Sequence, residues 1–117
     1  MTLATTLETL GENRHCLRLE GRVDSLTATQ LEQALLGLWD GAEARVLVDF
    51  QALDYISSAG LRIILMAAKR ALRGRGRLLL CALQPRVAEV FEMSGFLKIL
   101  DVAATRELGL AQLAEAA

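Results

Sequence analysis

Two hydrophobic periods divide the chain. Leu3, Thr5 and Leu7 fall on one side of residues 3–8, and Leu17 and Leu19 alternate with Arg18 and Glu20. A period of two is that of half-buried strands, so the chain is expected to open with an antiparallel pair. RVLVDF (45–50) and RLLLCAL (77–83) are instead continuous apolar runs. Such runs suit central strands covered by helices or neighbouring chain. ILDVA (99–103) is a shorter candidate for a fifth strand.

Helical spacing fills the intervals. Thr27 followed by Gln30 reads as a capping box, and Leu31, Ala34, Leu35 and Leu38 then share one face, which predicts a helix over about 28–39. Leu61, Ile64, Leu65, Ala68 and Leu72 form a second apolar stripe, with Arg62, Lys69 and Arg73 opposite and Gly74 placed as a left-handed stop. Pro85 suits the first turn of a third helix with Val87, Val90 and Phe91 inward and Gly95 at its end, and Thr105 caps a fourth. Alternating strands and helices favour parallel pairing through right-handed crossovers. The predicted class is α/β, with a mixed sheet of four to five strands and about four helices.

Composition narrows the class of protein. At 117 residues, with 53% hydrophobic content and one proline, the chain has the size of a single domain over 1–117 and can bury a core without staples. The stretch MTLATTLETLG has neither a basic n-region nor a continuous apolar h-region. Elsewhere Arg62, Lys69 or glycine interrupts the apolar runs well short of a span, so a cytoplasmic protein without membrane insertion is expected. Cys16 and Cys81 match no CxxC or zinc-ligand spacing, which points to two reduced thiols and no metal. With 13 basic and 14 acidic residues the net charge is −1, so no direct DNA contact is expected.

Chemistry concentrates in DYISSAGLR (54–62). Asp49 is expected to end a buried strand, Asp54 and Tyr55 to lie in the connection, and Ser58 to fall three residues before Leu61, where the second helical face begins. That register makes Ser58 a natural N-cap, accepting from the backbone N–H of Gly60 or Leu61 for about 1 kcal/mol. Capping alone would account for it. A hydrolytic nucleophile would need a base, but His15 is the only histidine and no G-x-S-x-G elbow is present. A phosphate cradle would need more glycines and a lysine. A phosphoacceptor needs neither: a phosphoserine at a helix N-terminus adds about −1.5 to −2 charges where the helix dipole favours them, so the fold survives while the surface changes.

Val48 to Leu61 reads V-D-F-x-x-L-x-Y-I-x-S-x-G-L, which resembles the signature of STAS domains, specifically bacterial anti-sigma factor antagonists. GRVDSLTATQLEQAL (21–35) is similar to the family's Gly-x-x-Asp turn and first helix, and GRGRLLLCALQPRVAEVFEMSGFLKILDV (74–102) to its later strand, helix and Ser-Gly-Phe turn. The resemblance implies a STAS-like fold and no enzyme activity or cofactor. It makes Ser58 the phosphorylation site, lets Gly60 admit a close backbone approach, and matches Asp24 and Asp49 to acidic strand ends near the same rim. The implied partner-binding set is Asp24, Asp49, Ser57, Ser58, Gly60 and Arg62. Many members carry Asp immediately before the phosphoserine; here Ser57 removes that fixed charge and supplies an alternative phosphoacceptor. The implied function is partner switching: binding to an anti-sigma factor serine kinase when unphosphorylated, release on phosphorylation, and resetting by a serine phosphatase. The alternative is a STAS accessory subunit of a transport or signalling complex that acts by docking alone.

Three further features have bland readings beside functional ones. Lys69, Arg70, Arg73, Arg75 and Arg77 place five cations in nine residues. They can complement the helix C-terminus electrostatically or form a docking patch for an acidic partner. Trp39 closes the apolar face of the first helix as core edge or as a binding platform, and Cys81 fits a small core position.

Overall fold

The computed structural model describes residues 2–40 and 43–115, and in it five strands form one sheet in the order β1-β2-β3-β4-β5. β1 (Leu3–Gly11) pairs antiparallel with β2 (Arg14–Val23) across a tight turn in which Asn13 adopts φ 59. β3 (Arg45–Ile56), β4 (Arg77–Cys81) and β5 (Asp101–Ala103) then add in parallel. The crossovers are α1 (Ala28–Leu35, continued by a 3-10 turn over Leu36–Trp39), α2 (Ser58–Arg73) and α3 (Pro85–Met93). α4 (Arg106–Ala114) follows the last strand. Each crossover advances to the next strand in the same direction, and right-handed connections that do so share one face. The main core accordingly joins Leu31, Leu35, Ile64, Ala67, Val87 and Phe91 of these helices to Leu17, Val46, Val48 and Leu80 of the sheet. Phe50 and Phe91 meet edge to face within it, with ring centroids 5.9 Å apart.

The opposite face of the sheet is covered only in part. There Leu113 of α4 packs with Cys16, Leu47, Leu79, Cys81 and Ala103. This is the second cover that the unbroken apolar runs of β3 and β4 require. Both cysteines are free and buried. Burial raises the Cys16 thiol above its ordinary value and pushes that of Cys81 up to about 12, so both stay protonated at neutral pH. A thiol reagent is expected to label neither cysteine in the native protein and both in denaturant; rapid native labelling would show that α4 does not hold its place on the sheet.

Several local expectations change in three dimensions. β3 does not end at Asp49 but runs on through Asp54 and Tyr55 to Ile56, because Arg22↔Tyr55 and Val23↔Ile56 extend its pairing with β2 past the last β4 partner, Cys81. The Thr27–Gln30 capping box does not form. Asp24 takes over, its Oδ1 accepting from the N–H of Leu26 and Thr27 at 2.9 and 3.0 Å, while Gln30 Nε2 donates to the carbonyl of Leu3 at 2.6 Å. Leu72 leaves the apolar stripe and is 82% exposed, and Ile63 is buried in addition to Leu61 and Ile64. Leu7 is also turned to solvent. Gly74 keeps φ −85, and the left-handed residue after α2 is Arg75 at φ 58. Gly95 does take φ 76 after α3, and Thr105 Oγ1 caps α4 by accepting from Leu108 N–H at 3.1 Å. Trp39 is 4% exposed, with Nε1 donating to the Ala44 carbonyl at 2.9 Å, which makes it core edge and not a platform.

Candidate functional site

Parallel strands end together, and the ends of β2 and β3 build one rim. Ser57 N–H donates to the Val23 carbonyl at 2.8 Å, which ties the start of α2 to the end of β2. Ser57 is extended (φ −85, ψ 172), and its Oγ accepts from Gly60 N–H at 3.2 Å. The N-cap of α2 is therefore Ser57, where local spacing had pointed to Ser58. Ser58 becomes the first helical residue, exposed, and its hydroxyl makes no hydrogen bond to the rest of the described chain. Two adjacent hydroxyls thus divide the work: one satisfies an orphan N–H and the other faces solvent.

Gly60 explains how the rim can be so tight. A Cβ built on it would lie 2.4 Å from Val23 Cγ1 and 2.8 Å from Ile56 Cγ1. Only hydrogen fits where the first turn of α2 rests on the last residues of β2 and β3. Gly60 is buried, so it shapes the rim from beneath and presents no side chain to a partner. Arg62 lies one turn beyond Ser58, exposed and at the i+4 spacing that places it on the same helical face.

Asp24 sits at the same rim, directly after β2. Backbone N–H donation from Thr27 is the main reason its carboxyl is held below the usual carboxylate range, with Leu26 N–H and the Thr27 hydroxyl adding to it. Its contribution to stability is present above that range and fades as pH falls through the lowered value. Asp49 is elsewhere. It lies seven residues before Ile56, about 23 Å along the strand. It is 3% exposed, on the face partly covered by α4. Its Oδ1 accepts from Gln51 N–H at 2.9 Å and its Oδ2 is 3.6 Å from Arg106 Nη1. The structure brings Asp24, Ser57, Ser58, Gly60 and Arg62 together and leaves Asp49 apart.

Residues that pattern reading missed complete the rim. Leu26, in the loop after Asp24, is 88% exposed, and Tyr55 is 40% exposed with the Arg22 guanidinium 4.4 Å from its ring centroid. The signal for Leu26 was an apolar residue alone in a polar turn, D-S-L-T. Tyr55 lies within the string that carries the family resemblance, but its meeting with Arg22 has no local signal, since it comes only through strand register. Arg22, Asp54, Gln84, Pro85 and Arg86 line a depression beside them.

A family model for the STAS domain matches residues 6–108. The chain belongs to the STAS domain family. A Bordetella bronchiseptica protein named "Putative anti-sigma factor antagonist BtrV" is 52% identical over 93 residues, covering 80% of each chain. Among solved structures, the anti-sigma factor antagonist SpoIIAA in its unphosphorylated form superposes with a TM-score of 0.80 at 22% identity over 94% of this chain and 96% of that one. The Bacillus SpoIIAA in its phosphorylated form gives 0.73 at 23% identity over 94% and 99%. These two likenesses show the same mixed five-stranded sheet and helices, as the STAS-like class predicted.

Ser57 stands where the resemblance led to the expectation of an aspartate, and the geometry shows what a serine keeps there. Ser and Asp are both strong N-caps, so the capping hydrogen bond is retained while a full negative charge next to Ser58 is lost. No helix among the described residues is long and apolar enough to cross a membrane. Nor do the described residues contain a group of three His, Cys, Asp or Glu side chains that could hold a metal ion.

Proposed function

We propose that this STAS domain is an anti-sigma factor antagonist that binds a kinase-type anti-sigma factor while Ser58 is unmodified, is released when Ser58 is phosphorylated, and is reset by a serine phosphatase. The observation that carries the reading is the exposed hydroxyl of Ser58 at the first position of α2, unencumbered because Ser57 does the capping. Phosphate there would meet the positive end of a helix of 16 residues and leave the fold intact. The exposed Leu26, Tyr55 and Arg62 around it supply apolar and cationic contacts of the kind interfaces use, and the name of the 52% identical relative supports the antagonist part of the reading.

Incubation with the partner kinase and ATP is expected to add one phosphate by intact mass, located on Ser58 by fragmentation. Ser58→Ala should abolish the gain. Ser57→Ala should keep it, while costing about 1 kcal/mol of stability through the lost cap. Phosphate on Ser57 would overturn the assignment, and an unmodified mass after a competent reaction would favour a subunit that acts by docking alone.

A further inference from the structure

The other end of α2 carries a surface that the Ser58 rim does not use. A groove of about 350 Å³ runs between the C-terminal half of α2, the start of β4 and the segment leading into β5. Leu65, Ala68, Leu78 and Leu100 line it, together with Leu72 and Ile99, which are 82% and 71% exposed. Large aliphatic side chains this exposed, next to one another over an apolar groove, mark a contact surface more often than chance placement. Its border is cationic on the α2 side, while on the opposite wall Asp101 is paired with Arg77. Lys69 is in the wall, Arg73 follows one helical turn later on the same side of α2, and Arg75 follows in the turn. None of these three makes an ion pair among the described residues, whereas Arg70 is engaged by Asp40 at 3.4 Å and Arg77 by Asp101 at 3.9 Å.

We infer that this groove is a second docking surface, which takes an acidic amphipathic helix from a partner protein and does so whatever the state of Ser58. An apolar stripe fits the groove, and acidic residues flanking that stripe would pair with Lys69, Arg73 and Arg75, the mode by which helices are recognised in grooves. A second copy of this chain fits less well. Two-fold self-association would set the same three cations against one another. Independence from Ser58 follows from distance. Ser58 and Arg73 are the two ends of a helix of 16 residues, about 22 Å apart along its axis and well beyond the roughly 8 Å screening length at physiological salt. A phosphate at one end is not felt at the other.

The test is an NMR titration of the ¹⁵N-labelled protein with two synthetic helical peptides that share one leucine stripe, flanked by Glu in the first and by Lys in the second. The Glu peptide is expected to shift the amides of Lys69, Leu72, Ile99 and Leu100 without moving Ser57 to Leu61, and to bind at least about tenfold tighter than the Lys peptide at low salt. Leu72→Ser and Lys69→Glu, both at exposed positions, should each weaken it severalfold with spectral dispersion unchanged. Ser58→Asp should bind it within about twofold of the wild type. Equal binding of both peptides, shifts centred on the Ser58 rim, or no binding of the Glu peptide would overturn the inference. So would concentration-dependent shifts of the groove amides in protein alone, which would assign the surface to a second copy.

Discussion

Ser58→Asp is expected to weaken the complex with the proposed kinase-type anti-sigma factor by about two orders of magnitude while changing the stability of the free domain by no more than about 0.5 kcal/mol. The two effects differ because the same charge meets two environments. In the free domain, a carboxylate at the first position of α2 lies at the positive end of the helix and in water, where it is tolerated or mildly favourable. In a complex fitted around a hydroxyl, that carboxylate must be desolvated without a partner charge, which costs a few kcal/mol, and about 1.4 kcal/mol corresponds to tenfold in affinity. Titration calorimetry and thermal melts on the same preparation separate the two, with Ser58→Ala as the neutral control that should keep binding. Unchanged affinity for the aspartate variant would remove charge as the switch, and a large loss of stability would show that Ser58 has a structural role.

The largest expected effect on stability lies away from that rim. Arg106, in the first turn of α4, reaches Glu8 of β1 at 2.9 Å, Asp49 of β3 at 3.6 Å and the Cys16 sulfur of β2 at 3.2 Å. It fastens α4 across three strands. Asp49 is the one buried charged residue among those described, so Arg106→Ala leaves a carboxylate in the sheet with only the Gln51 N–H for compensation. Removing one partner of a fully buried pair costs about 3–5 kcal/mol, and because the Arg106 side chain keeps 29% exposure a smaller loss, about 2–3 kcal/mol, is expected here. Adding Asp49→Asn to Arg106→Ala should recover part of that loss, although Asp49→Asn alone should destabilise. Chemical denaturation of the four proteins reads the sign reversal directly. Additive losses would mean that Arg106 holds α4 through Glu8 and packing, not through Asp49.

Asp49 shows where a strand-by-strand reading stops. Its place after an apolar run suggested a strand end close to the serines, yet the run ends only because the side chain beyond Phe50 is turned to solvent at Gln51, while the backbone continues in pairing with β2 to Ile56. Leu72 shows the same limit on a helix. It fits the apolar spacing of α2, but it faces the open groove, while the adjacent Ala71 is the residue that turns into the core.

What the sequence determined by itself were the features that depend on neighbours within a turn or two. The alternation at Leu17 and Leu19, the unbroken runs of β3 and β4, Pro85 opening α3, Thr105 capping α4 and the string from Val48 to Leu61 sufficed for the class of fold and the STAS family. Tertiary structure decided which serine is spent and which is free. Ser57 is fixed as the cap by its N–H bond to Val23, a residue 34 positions earlier, and Gly60 is fixed by the space that Val23 and Ile56 leave. Local spacing cannot carry that information, because the register between β2 and β3 is set by contacts across the sheet and moves the start of α2 by the one residue that exposes Ser58.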